Sequence, residues 1–123
     1  MAQELTRRTH KGIGTAGTEV YAVPTASGVT LRSVIIGLMI SNISDVGESS
    51  GQSVSISVEV TPYDDTGNPV KLINRLSLSF GSSLEAIQSR VVMLTDGTDA
   101  DSLKVYCHDG AFIDAVVSII EDV

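Results

Sequence analysis

The feature of this sequence that most constrains its fold is a strict two-residue alternation of apolar and polar side chains. It is clearest in the segment 53–63, which reads SVSISVEVTPY. In an extended chain the aliphatic residues would share one face, and the serines and the glutamate would share the other. A helix would scatter them around its circumference, so the pattern predicts a half-buried antiparallel strand. The aliphatic residues are Val54, Ile56, Val58 and Val60.

Several other segments repeat this alternation, including 76–80 and 103–108. The segment 31–43 (LRSVIIGLMISNI) is apolar on both faces in its middle and predicts a central strand, with Gly37 marking a bulge or a close backbone approach. The last segment, 115–121, predicts a strand buried on both faces for part of its length, because Val116 and Ile120 interrupt the expected polar positions.

Turn-forming residues separate these segments. They predict a tight hairpin at Asp109-Gly110 and a longer hairpin loop at 64–69, while 82–88 offers at most one helical turn. We therefore expect a single all-β domain, an antiparallel β-sandwich of jelly-roll type with about seven or eight strands. The turn signals are Pro24 to Gly28, Asp45 to Gly51, Asp64 to Pro69, Gly81 to Ser83, Asp96 to Asp101 and Asp109-Gly110.

The charge of the chain is unevenly distributed. Residues 1–11 hold three basic residues against one acidic residue, a balance of +2, and the remainder holds five against fourteen, a balance of −9 that completes the net −7. We predict an extended N-terminal arm with a glycine-rich joint over 1–17, followed by the sandwich over 18–123. An acidic body disfavours nucleic acid. The arm is expected to bind a protein partner through Arg7, Arg8, His10 and Lys11.

The sequence offers no convincing catalytic constellation, and we expect neither an enzyme nor a bound cofactor. Cys107 is the only cysteine, so an intramolecular disulfide and a multi-thiolate zinc site are excluded. Its neighbour His108 should point to the opposite face of a strand. The glycines of 12–17 match G-x-G-x-x-G as letters but open no helix, and they are interpreted as a flexible joint.

Two acidic loops contain oxygen ligands of the kind that calcium prefers. They are 64–68 and 96–101, and the second holds three carboxylates in six residues. Neither has the spacing of an EF-hand, and both have ordinary turn compositions. We therefore predict no metal site. No apolar run is long enough to cross a membrane, and the N-terminus lacks the apolar stretch of a signal peptide, so we expect neither a membrane partner nor export.

The order of four segments resembles a group of small β-sandwich virion proteins of tailed bacteriophages, many from cyanobacterial and marine hosts. The resemblance spans most of residues 10–123 and consists of short motifs in a fixed order. The segments are HKGIGTAGTEVYAVPTASG, SVIIGLMISNIS, SVSISVEVTPYDDTGNPVKLINRLSLSFGSSLEAI and LKVYCHDGAFIDAVVSIIEDV.

The resemblance implies a structural role in a virion that is assembled in the host cytoplasm. A capsid cement or decoration protein is favoured, binding between capsid subunits as a homo-oligomer, with a trimer as the first guess. A neck or tail protein is the alternative within the virion. A carbohydrate-binding β-sandwich is the alternative outside it, and would need Tyr21, Tyr63 and Tyr106 to form an exposed cluster.

Overall fold

A computed structural model describes residues 3–25, 32–44, 53–88 and 90–122. Every regular element in these ranges is a β-strand, and none of these residues belongs to a helix that could cross a membrane. The predicted turns at 45–51 and, for the most part, 24–28 lie outside the described residues. The strands are β1 Gln3–Ile13, β2 Thr18–Ala22, β3 Arg32–Asn42, β4 Val54–Thr61, β5 Val70–Leu78, β6 Ser83–Ile87, β7 Val91–Leu94, β8 Ser102–Cys107 and β9 Ile113–Asp122.

The strands form two antiparallel sheets, which confirms the predicted β-sandwich. The larger sheet has the order β1-β9-β3-β6, and β7 also pairs with β3. The smaller sheet has the order β2-β8-β4-β5. Because β6 and β7 pair with different stretches of β3, they occupy one position in the sheet. The chain therefore follows the path of an eight-position jelly roll, in which every connection crosses between the sheets except β4 to β5 and β6 to β7.

The core lies between the two sheets and is almost entirely aliphatic. The inward-facing residues of both sheets contribute to it. The alternating aliphatic residues of β4 in the smaller sheet face the inward residues of β3 and β9 in the larger sheet. The largest fully buried side chains are Ile13, Ile35, Leu38, Ile40, Ile56, Met93, Leu103, Ile113 and Ile119. β3 and β9 are the two inner strands of the larger sheet, as the sequence predicted for β3.

The predicted boundary at residue 17 needs correction, because β1 is already part of the sandwich. The segment is extended, but it pairs antiparallel with β9 from Gln3, opposite Asp122, to Ile13, opposite Ile113. The glycine-rich segment after it is a hydrogen-bonded turn, in which the Gly14 carbonyl accepts from the amides of Gly17 and Cys107 at 3.1 and 3.2 Å. The sandwich thus starts at the first described residue.

Gly17, in this turn, packs directly against a neighbouring side chain. It has a φ of 81°, and a Cβ built on it would lie 2.4 Å from the ring of Tyr106. A side chain larger than hydrogen would therefore meet both backbone strain and a steric clash. The expected flexible joint is instead a close packing contact.

One further prediction about local structure was wrong. Asp109-Gly110 does not close a hairpin, because β8 belongs to the smaller sheet and β9 to the larger one. This loop carries the chain between sheets, and the Asp109 carboxylate accepts from the Ser55 amide at 2.6 Å. The segment 83–87 is strand β6, without a helical turn. The loop at 64–69 does join two paired strands, and Gly37 does lie at a register shift.

Candidate functional site

The outer face of the smaller sheet is polar and contains an ion pair of its own. Cross-strand pairing sets Glu19 opposite Lys104, Lys104 opposite Glu59, and Glu59 opposite Lys71. Charges of opposite sign therefore alternate across the sheet. The Glu59 side chain is nearly buried, and its carboxylate lies 2.8 Å from Lys71 Nζ. Both lysine ammonium groups also lie within 6 Å of the ring centroid of Tyr106.

The outer face of the larger sheet is instead apolar, and we call it the apolar face. Its aliphatic side chains come from every strand of the sheet except β6 and point away from the core. Leu5 is 72% exposed and Val92 is 60% exposed, at the two edges of the sheet. The outward side of a solvated antiparallel sheet is normally polar, so this side has the composition of an interface. The apolar face comprises Leu5, Val34, Ile36, Met39, Val92, Val116 and Ile120.

Ile36 forms a ridge on this face with a shallow depression on each side. It lies where the pairing of β3 with β9 shifts register, between Ile35 and Gly37. One depression extends toward β6 and is lined by Met39, Val116 and Glu85, and the other extends toward β1 and is lined by Leu5 and Arg7. Both depressions contain Ile36 and Ser118. A ridge between two hollows is a shape that another protein surface can grip.

A second apolar area follows the edge strand β5, and we call it the β5 strip. Only β4 pairs with β5 among the described strands, and the pairing shifts register twice. Such shifts protect an open edge from adding further strands, so side chains rather than backbone groups are offered here. Each member is at least 40% exposed, and they are Val70, Leu72, Leu76 and Phe80.

The four residues predicted to bind a partner do not act as one group. Because side chains alternate along β1, Arg7 and Lys11 point outward beside the apolar face, while Arg8 and His10 point toward the interior. The His10 ring bonds the Val20 carbonyl of the same chain at 3.0 Å. Only Arg7 and Lys11 are therefore turned toward solvent on the outer face.

Arg8 lies at the edge of a buried polar network that ties both sheets together, and its own side chain is 45% exposed. The Tyr21 hydroxyl donates to the Glu121 carboxylate, which leaves the Ser33 hydroxyl to donate to the Tyr21 oxygen at 2.7 Å. Arg8 closes the network, with one guanidinium nitrogen 3.9 Å from the Glu121 carboxylate. Burial, and then the bond to Glu121, raise the pKa of Tyr21 well above its usual value.

A serine and a histidine far apart in sequence meet on the smaller sheet. Ser57 Oγ lies 2.7 Å from His108 Nε2, and it also accepts from the Arg75 amide at 3.0 Å. Ser57 is fully buried, so its oxygen is closed to a substrate. His108 faces away from the buried Cys107, as predicted, but no local pattern in the sequence signals its contact with Ser57. The pair fixes the chain around Arg75, which has a φ of 55°.

The acidic loops use their carboxylates to bind backbone amides. Asp101 accepts from the amides of Tyr63 and Leu94 at 2.8 and 2.9 Å, one on each oxygen. Asp96 accepts from the amides of Asp99 and Thr98, and these bonds lower the pKa of its carboxyl group. Within the described ranges, no group of three His, Cys, Asp or Glu side chains is arranged to hold a metal ion.

The three tyrosines do not form an exposed cluster. Tyr21 is buried in the network with Glu121, and Tyr106 lies on the smaller sheet, stacked on His108 with ring centroids 6.2 Å apart. The apolar face and the β5 strip are thus the features of the described chain that point to a partner. No protein-family model matches the sequence, and neither a curated protein nor a solved structure matches it.

Proposed function

We propose that the protein is a non-enzymatic structural subunit of a tailed-phage virion, and more narrowly a capsid cement or decoration protein. The observation that carries the structural role is the exposure of two separate apolar areas, the apolar face and the β5 strip. A chain with one such area can form a pair, whereas a chain with two can connect neighbours within an assembly.

The assignment to a virion is supported by the resemblance of the segments quoted above and by the strand order. The jelly roll occurs in viral capsid proteins, but also in lectins and cupins, so the fold alone does not decide the function. The side chains that could act in catalysis or metal binding instead make hydrogen bonds within the chain. Ser57 and His108 bond each other, and Asp96 and Asp101 bind backbone amides.

A cement role is preferred over a neck or tail role for two reasons, the net charge of the chain and the position of the β5 strip. The net charge of −7 keeps the free chain soluble at the concentration that hundreds of copies require. The β5 strip lies on an edge strand, where it can reach the seam between two capsid subunits. We assign the virion contact to this strip.

Counting copies in gradient-purified particles tests the proposal. Quantitative mass spectrometry, calibrated against the major capsid protein, should find this chain at hundreds of copies in each particle. About a dozen copies would overturn the cement role in favour of the neck or tail, and absence from particles would overturn the virion role.

Rebinding tests the role of the β5 strip. Purified chain is added to particles assembled without it, and the bound fraction is measured after sedimentation. Leu72→Asp should lower the bound fraction at least tenfold, because a carboxylate would be buried in an apolar contact. Thr66→Asp in the exposed loop before β5 is the matched control and should bind normally. Equal binding of both variants would remove the strip from the interface.

A further inference from the structure

We propose that the apolar face binds a second copy of this chain, related by a two-fold axis that runs parallel to the strands of the larger sheet. The inference rests on the proposed function for the idea that the chain assembles, and it goes further by naming the occupant of this face and the symmetry. It follows from the way the outward residues are arranged in rows across the sheet.

The pairing of four strands places the outward aliphatic residues of one level in a single row. Leu5 pairs with Ile120, Ile120 with Val34, and Val34 with Val92. Leu5 and Val92 therefore lie at opposite edges of the sheet at the same level. They are also its two most exposed aliphatic residues, at 72% and 60%.

A two-fold rotation about an axis along the strands, passing between β9 and β3, keeps each row at its level and exchanges its ends. In a face-to-face pair this operation sets Leu5 against Val92 of the second copy, and Ile120 against Val34. The contact is made twice, as in every isologous interface. Two sheets packed in this aligned way lie ~10 Å apart.

The charges at the sheet edges are matched by the same rotation. Glu85 on β6 pairs with Met39, in the row that ends on β1 at Thr9. Arg7 and Lys11 point outward on either side of Thr9, each ~7 Å along the strand. The rotation therefore sets Glu85 between Arg7 and Lys11 of the second copy. All three are exposed, and the two ion pairs of the described chain involve other residues.

The shape of the face fits the same arrangement. Ile36 is the bulged residue of β3 beside Gly37, which pairs with Ser118 on β9, so the rotation brings each Ile36 close to the other copy's Ser118. Ser118 lies in both depressions, where its short side chain leaves room for the ridge. Four strand positions about 19 Å wide and ~30 Å long give an area per copy of about 600 Å², so the pair buries roughly 1,200 Å², the lower end of the range for specific interfaces.

Other symmetries fit less well. An axis perpendicular to the strands would lay β1 on β1 and set Arg7 and Lys11 against basic residues. A three-fold axis cannot pair this face with itself, because only a two-fold operation is isologous. The arrangement of charges therefore favours a dimer over the trimer that the resemblance implies.

Charge reversal tests the pairing in purified protein, by sedimentation velocity over a range of concentrations. The wild-type chain should show a reversible monomer–dimer equilibrium. Glu85→Arg should raise the dissociation constant at least tenfold, and so should Arg7→Glu with Lys11→Glu, because each change repeats at two symmetry-related contacts. Asp64→Arg makes the same charge change on an exposed loop and should leave the dissociation constant within about twofold.

Mixing the two weakened variants gives the sharpest result. In a heterodimer the introduced arginine of one variant faces the two introduced glutamates of the other at one contact, and the native charges meet at the second contact. The mixture should therefore recover a dissociation constant within about threefold of wild type. Both variants remain acidic, since the net charge becomes −7 + 2 = −5 in one and −7 − 4 = −11 in the other, so a general attraction between the chains does not explain recovery.

Crosslinking tests the direction of the axis. The double variant Leu5→Cys/Val92→Cys should oxidise to a covalent dimer, while Leu5→Cys alone should not. The native Cys107 is fully buried and does not interfere. A crosslink through position 5 alone would show the perpendicular axis and overturn the proposal.

A wild-type monomer at all concentrations, a trimer, or a mixture no tighter than its parts would also overturn the proposal. These measurements use the isolated chain, so their failure is distinct from absence of the chain from particles.

Discussion

The outer faces of the two sheets follow opposite plans. On the smaller sheet, charges of opposite sign alternate across the strands, and Glu59 bonds Lys71 within the same chain. On the larger sheet many of the equivalent positions are aliphatic, and charge lies at the perimeter, at Arg7, Lys11 and Glu85 on the edge strands and at Arg32 and Asp114 near the ends of β3 and β9. The first face satisfies its own polar groups and needs no partner. The second leaves apolar surface in water with charges around it, which is the anatomy of an interface.

This difference separates two uses of the same fold. Both sheets contribute to one aliphatic core, so folding alone would be served by polar residues on both outer faces. Aliphatic residues at Leu5 and Val92 instead create an exposed apolar patch, which favours association. We therefore interpret the smaller sheet's outer side as a stability surface and the larger sheet's as an assembly surface. Substitutions on the smaller sheet's outer side should lower the free energy of unfolding and leave association unchanged. Substitutions on the larger sheet's outer side should weaken association and leave the free energy of unfolding nearly unchanged.

The largest effect is expected from Ile36→Asp on the apolar face. A carboxylate at the ridge would be buried twice in the dimer, and the dissociation constant should rise at least a hundredfold. The free energy of unfolding of the monomer should change by less than ~1 kcal/mol, because Ile36 is only half-buried. Sedimentation and urea denaturation measure the two quantities, with Thr61→Asp on the other sheet as control.

The next effect is expected from Ser57→Ala on the smaller sheet. This change leaves the Arg75 amide and one nitrogen of His108 without their bonds, at a cost of about 1–3 kcal/mol in unfolding free energy. Dimerisation should be unchanged. Ser77→Ala, at an exposed position of the same sheet, is the matched control. A loss of association in the Ser57 variant would mean that the two faces are not independent.

A smaller effect is expected from Glu59→Gln. The ion pair with Lys71 is short, but the lysine side chain is 45% exposed, so screening limits the loss to less than about 1 kcal/mol. The salt dependence of stability shows whether this ion pair contributes. Added sodium chloride should lower the urea midpoint of the wild-type chain slightly more than that of the variant. Identical salt profiles would show that this pair contributes nothing to stability.

The smallest effect is a dependence of stability on pH through His108. Desolvation, followed by the charges of Arg75 and Lys71, lowers the pKa of His108. The unfolded chain therefore binds a proton more readily than the folded chain does. The stabilisation of the fold by neutral His108 is complete above the unfolded pKa of about 6.5, and it is lost as pH falls through the folded pKa. Urea midpoints between pH 7.5 and 5 should fall less steeply in His108→Gln, which retains His10.

Alternation was sufficient to predict the β-sandwich, but β1 had no such signal. The segment TRRTHK contains no aliphatic residue, and its inner side is covered by the long side chains of Arg8 and His10. Its place is set by backbone pairing with β9, which no local pattern encodes. The same limit explains Asp109-Gly110, because one turn composition serves a hairpin and a crossing between sheets.

The candidate site was partly visible in the sequence. The two-sided apolar character of 31–43 and 115–121 predicted burial on both faces of these strands. The structure buries one face within the chain and leaves Met39 and Val116 on the other, each 42% exposed. Which face remains open depends on strand order, and so do contacts such as Ser57–His108, 51 residues apart.

The most direct test of the central claim compares one residue from each outer face by hydroxyl-radical footprinting. Met39 lies on the apolar face and Tyr106 on the smaller sheet's outer side, while the fully buried Met93 serves as an internal reference. On going from dilute, monomeric protein to concentrated protein, Met39 should become protected from oxidation and Tyr106 should not. Unchanged oxidation of Met39, or protection of Tyr106 in its place, would contradict an assembly surface on the larger sheet.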